Sequence, residues 1–121
     1  MFLVLSQTKL DVFKVSKALV LDCYRQTNSF PLVERFGMIS QIRRAALSVH
    51  LNVAEGCSRK SLKERKRFYE IARGSLIEVD AALDIAIDLD YATKQALDTL
   101  CRLMIRSFKL ISKLISYDRE A

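Results

Sequence analysis

A chain of 121 residues, half of them hydrophobic, can bury one core and is too short for two ordinary domains. Three glycines and one proline supply too few turns for an all-β sandwich or barrel. The single histidine and the dispersed Cys23, Cys57 and Cys101 offer neither zinc-ligand spacing nor a disulfide framework, and the net charge of +6 directs attention to anionic partners. These exclusions predict an all-α protein with one domain over residues 1–121. It is expected to be cytoplasmic, with reduced thiols and no membrane segment, metal or cofactor.

Hydrophobic residues recur at three- and four-residue steps in four blocks, the periodicity of helices that each bury one stripe. Helix one is predicted over about 8–26, with Val12, Val15, Leu19 and Cys23 on its apolar face; a polar turn closed by Pro31 ends it. Helix two follows over about 32–55, with Ile39, Ile42, Ala46, Val49 and Val53 as its seam. Gly56 reads as its left-handed cap, and Ser61-Leu62-Lys63-Glu64 as a capping box opening helix three, over about 61–89.

Helix three turns Phe68, Ala72, Leu76, Val79, Leu83 and Ala86 inward and carries a second apolar set in Ile71, Ile77 and Ile85. Helix four, over about 93–117 with Thr93 as N-cap, has Leu97, Leu100, Met104, Phe108, Ile111 and Ile115 inward and Arg102, Arg106, Lys109 and Lys113 as an outward basic stripe. Short connections make successive helices antiparallel neighbours, so the predicted fold is an up-down four-helix bundle.

The charge is local. Arg43, Arg44, Arg59, Lys60, Lys63, Arg65, Lys66, Arg67 and Arg73 face only Glu55, Glu64 and Glu70 within their segment, which alone carries the net +6, while the flanks cancel. Helix three is basic in its first half and acidic in its second, through Glu78, Asp80, Asp84, Asp88 and Asp90, the reverse of what its dipole prefers. Folding helix four back about Tyr91-Ala92 is expected to set Asp80 and Asp84 against Arg102 and Arg106. The basic half lacks enough acids of its own, so those nine bases are the candidate nucleic-acid-binding residues, gathered beside a helix N-terminus.

Phe36-Gly37-Met38-Ile39-Ser40-Gln41-Ile42-Arg43-Arg44-Ala45-Ala46, then Asn52-Val53-Ala54-Glu55-Gly56 and Arg59-Lys60-Ser61, form a known pattern that extends through Phe68, Ala72, Gly74-Ser75-Leu76 and Glu78 to Leu89-Asp90-Tyr91. The chain resembles the family called four helix bundle protein. That family includes proteins encoded in intervening sequences of bacterial large-subunit ribosomal RNA genes and is similar to the accessory variability determinant of diversity-generating retroelements. The resemblance implies a ring-like homopentamer. For the retroelement branch it implies a basic surface that binds nucleic acid, RNA or DNA, and a reverse transcriptase. Asn52 and Glu55 match family positions that look structural. The family's common proline is replaced here by His50, which leaves helix two without a kinking residue.

No catalytic residue is assigned. A di-iron bundle needs Glu-x-x-His pairs, and Leu47 stands three residues before His50. Arg43 and Arg44 precede His50 at the spacing of an Arg-x4-6-His ribonuclease motif, a weak match from one lone histidine. The sequence thus favours a non-enzymatic oligomer that holds phosphates with little base reading. The alternative is a protein-only scaffold or accessory subunit with no nucleic-acid role.

Overall fold

The computed structural model describes residues 1–3, 5 and 10–120, with side chains to residue 117. Four helices run α1 Asp11–Thr27, α2 Met38–Ser58, α3 Leu62–Asp88 and α4 Asp98–Glu120, and the described residues include no strand. The part of helix one expected from Thr8 to Lys9 lies outside the described residues. Each helix packs on two neighbours, α1 on α2 and α4, and α3 on α2 and α4, with the α2–α3 contact the most extensive. This is the antiparallel up-down bundle that the periodicity predicts.

Leu19, Ile42, Val49, Leu76, Val79, Leu100, Ile111 and Ile115 are essentially inaccessible and belong to one core cluster. Each such side chain contributes about 1.5–3 kcal/mol through burial. Three inward assignments shift, the first being Val15, which is half-buried while the α1 seam passes through Ser16 at 0%. Phe108 is 40% exposed, and the seam of α4 instead passes through Ser107 at 0%, because the four-three step from Leu100 and Met104 lands there and side-chain size does not decide which way a helical position faces. Tyr69, beside the half-buried Phe68, is the buried aromatic at the start of α3.

Three boundaries also move. Leu32–Glu34 is a separate 3-10 turn, and α2 begins only at Met38. Glu34 causes the break, since its carboxylate accepts the Met38 N–H at 3.2 Å and the Tyr91 hydroxyl at 2.8 Å, capping α2 and tying this turn to the α3–α4 connection. Gly56 is no left-handed cap, as no glycine has positive φ; it lies buried inside α2, which continues to Ser58. Thr93 accepts the Ala96 N–H at 3.1 Å, but it caps a turn over 94–97 that precedes regular α4.

The end of α3 is built as a Schellman motif, with Tyr91 N–H donating to the Ala86 carbonyl and Asp90 N–H to that of Ile87. Asp90 occupies the left-handed position at φ 62°, which aspartate tolerates better than most residues. Ser61 opens α3 as expected by accepting the Glu64 N–H at 3.3 Å.

Candidate nucleic-acid interface

The antiparallel topology converts the order of charges along the chain into an asymmetry between the two ends of the bundle. The α1 N-terminus, the α2–α3 turn and the C-terminal part of α4 share one end. Among the residues whose side chains are described, that half sets Lys14, Lys17, Arg59, Lys60, Lys63, Arg65, Lys66, Arg67, Arg73 and Lys113 against Asp11, Glu55, Glu64 and Glu70. The opposite half balances its bases with Asp22, Glu34, Glu78, Asp80, Asp84, Asp88, Asp90 and Asp98. Lys14, Lys17 and Lys113 are missed by a charge count along the sequence, and the antiparallel return of each helix is the signal that finds them.

Within the basic end the side chains differ in what already holds them. Lys60, Lys63 and Arg67 are exposed and make no ion pair among the described residues. Arg67 and Arg59 both lie within cation–π range of the Phe68 ring, at 5.3 and 5.0 Å, so the half-buried phenyl positions two guanidinium groups at the mouth of the turn. Arg59 pairs with Glu55 at 2.8 Å, the Arg65 Nε donates to the Arg59 carbonyl at 2.6 Å, and Lys66 reaches Glu70 at 3.9 Å. Arg73 lies lower, half-buried, donating to Ser112 at 3.3 Å and stacked 6.0 Å from the Phe108 ring.

Arg43 and Arg44 stand apart from this cluster. They lie about 23 Å down α2 from Arg59, at 1.5 Å per residue. Arg43 donates to Thr27 Oγ1 at 2.9 Å, Asn28 Oδ1 at 2.9 Å and the Tyr24 carbonyl at 3.3 Å, and its guanidinium covers the Tyr24 ring at 4.7 Å, so it clasps the end of α1. Arg44 lines a small polar hollow with Gln41, Ser48, Ser75 and Glu78.

The expected pairing of Asp80 and Asp84 with Arg102 and Arg106 is absent. Arg102 takes Asp98, one turn earlier on its own helix, at 3.0 Å, and Arg106 takes Asp11 of α1 at 3.8 Å. A partner four residues away on the same helix costs less side-chain ordering than one across a groove.

His50 faces α1, where its Nδ1 meets Ser16 Oγ at 2.7 Å and its ring packs on Phe13 at 4.5 Å between centroids. The Ser16 hydroxyl also donates to the Phe13 carbonyl. Burial, reinforced by nearby Lys17, pushes the imidazole pKa below its ordinary value. Arg43 and His50 both serve the α1–α2 seam, and the arrangement assembles no acid–base pair around a reactive atom. Burial with help from Asp22 raises the Cys23 thiol to about 12, which keeps it protonated and inert.

Among the described residues no three His, Cys, Asp or Glu side chains converge as metal ligands, and no helix is long and apolar enough to cross a membrane. Asn52 donates to the Ser48 carbonyl at 2.8 Å, and Ser48 meets Ser75 across the α2–α3 seam at 2.9 Å.

The fold is similar to the crystal structure of a protein of unknown function from the S23 ribosomal protein family of Bacteroides thetaiotaomicron, with a TM-score of 0.76 and 20% identity over 86% of this chain and 97% of that one. None of the curated proteins matches. The family described as 23S rRNA-intervening sequence protein matches residues 8–113, four helices and the turns between them, and the chain belongs to that family.

Proposed function

We propose that this protein is a non-enzymatic homo-oligomer that binds the phosphate backbone of nucleic acid through its basic end, with little sequence reading. The supporting observation is the segregation of bases at one end, with Lys60, Lys63 and Arg67 exposed and unpaired by acids among the described residues. The ligand residues in this reading are Arg59, Lys60, Lys63, Arg65, Lys66 and Arg67. Arg73 extends the surface, and Arg43 and Arg44 contribute to it only at a distance. Phosphate contacts of this kind fix no base identity.

The test is a binding titration with single- and double-stranded RNA and DNA at several salt concentrations. Wild-type affinity is expected to fall steeply with salt. The slope of log affinity against log salt is expected to drop by about 2–3 in Lys60→Glu/Lys63→Glu/Arg67→Glu, one contact being worth about 0.7–0.9. Absence of binding at low salt would leave a protein-only scaffold as the better account.

A further inference from the structure

Several polar residues of α2 and α3 serve neither the core nor the basic end, and the packing of the two helices gathers them at one place. Gln41, Arg44 and Ser48 of α2 meet Ser75 and Glu78 of α3 around a hollow of about 260 Å³, with Ala45 in its wall. Its floor is fixed. Ser48 and Ser75 share a hydrogen bond at 2.9 Å, and the Asn52 amide donates to the Ser48 carbonyl at 2.8 Å and to its hydroxyl at 3.1 Å. A network of this kind holds each hydroxyl in place.

The antiparallel register then sets a base and an acid at one height. Arg44 lies four residues before Ser48 and Glu78 three residues after Ser75, so each stands one turn, roughly 5–6 Å, from the hydroxyl pair in the same direction. Both are exposed, and neither is in an ion pair among the described residues. One bank therefore offers the paired donors of a guanidinium fork and the other the paired acceptors of a carboxylate, with hydroxyls between them.

We propose that this hollow is a guanine-binding subsite. Guanine presents two acceptors, O6 and N7, next to two donors, N1–H and the N2 amino group, so Arg44 can take the acceptor pair while Glu78 takes the donor pair. No other common base matches both banks. Adenine and cytosine give a carboxylate one amino group flanked by a ring acceptor, and uracil and thymine turn two carbonyl oxygens toward it. The hydroxyls and Gln41 either donate or accept, so they discriminate less.

Position favours a nucleotide over other polar molecules. The hollow lies on the α2–α3 seam, which runs up into the basic turn about 23 Å away along α2. A strand whose phosphates rest on that turn can lay an unpaired base in the hollow, where its edges are free of base pairing. A free guanine nucleotide offers the same edges. The strand-bound form rests on the nucleic-acid reading of the basic end and adds one base preference to a surface otherwise blind to sequence.

The test is a fluorescence-anisotropy titration with short uridine strands carrying a single central guanosine, and with the same strands carrying uridine, adenosine, inosine or 7-deazaguanosine there. Guanosine monophosphate is titrated separately by NMR. The guanosine strand is expected to bind roughly ten- to a hundredfold more tightly than the all-uridine strand. Inosine, which lacks the N2 amino group, and 7-deazaguanosine, which lacks N7, are each expected to lose part of that advantage. Glu78→Gln, checked for helicity by circular dichroism, is expected to bring the guanosine-to-uridine ratio close to one with the salt slope retained. Lys60→Glu/Lys63→Glu/Arg67→Glu is expected to weaken every strand alike and keep the ratio.

Binding of guanosine monophosphate without a strand preference assigns the hollow to the free nucleotide, and a strand preference without such binding assigns it to an unpaired base. Equal affinity for all strands with no response to guanosine monophosphate overturns the subsite and leaves phosphate binding at the basic end intact. A guanosine preference that survives both Glu78→Gln and Arg44→Gln also overturns it, by placing the recognition elsewhere. Guanosine monophosphate bound where no strand binds keeps the subsite and overturns the nucleic-acid reading of the basic end.

Discussion

Gly56 and Tyr69 are in direct contact across the α2–α3 seam, and a methyl group placed on Gly56 would fall 2.5 Å from Tyr69 Cε1 and 2.8 Å from Cδ1. The tyrosine ring is only 4% exposed and has no room to withdraw. Gly56→Ala sets a helix-propensity gain of about 1 kcal/mol against overpacking of about 1–3 kcal/mol. The expected result is a net loss in urea unfolding, reversed in sign when Tyr69→Leu is added.

Arg43 holds α1 to α2 through three hydrogen bonds and a stacked ring. Arg43→Ala is expected to lower stability by about 1–3 kcal/mol by denaturant unfolding. In the same variant the salt slope of nucleic-acid binding should stay within error of wild type, unlike that of the Lys60, Lys63 and Arg67 variant.

Asp90 carries a side chain at a position where glycine fits without cost. Asp90→Gly should raise stability by about 0.5–1 kcal/mol. A loss on this substitution would mean that the aspartate side chain is needed at the turn.

His50 is held with its pKa lowered, chiefly by burial and then by Lys17. The unfolded chain therefore binds the proton more tightly than the folded one, and stability falls as pH drops through the ordinary value of 6.5 toward the lowered one. Unfolding midpoints measured between pH 8 and pH 5 should show this loss in wild type. His50→Gln, which can still donate toward Ser16, should show a shallower decline.

The helices were legible because apolar spacing is a property of local geometry, and residues such as Ile42, Val49, Leu76 and Leu100 can face only one way once the stripe is drawn. What escaped was set by contacts between distant segments. Gly56 resembles a cap in one dimension and is a point of close approach in three. Glu34 gives no sign in the sequence that it caps α2 and holds Tyr91. The six bases from Arg59 to Arg67 come together as their spacing suggests, whereas Arg43 counts equally in a charge tally although its donors are engaged by α1. Charge order alone sets the acids of α3 against bases across the groove, but Arg102 has a shorter reach to Asp98 on its own helix.

The one-ended distribution of charge has a consequence for avidity. In the proposed homo-oligomer each copy brings its own Lys60, Lys63 and Arg67, so one particle carries several such basic ends. A strand engaged by one copy then meets the next at a high effective concentration, and modest affinities multiply where a single chain would let go. Gradual dilution of the protein below its assembly threshold should accordingly release a long strand much more sharply than a short one.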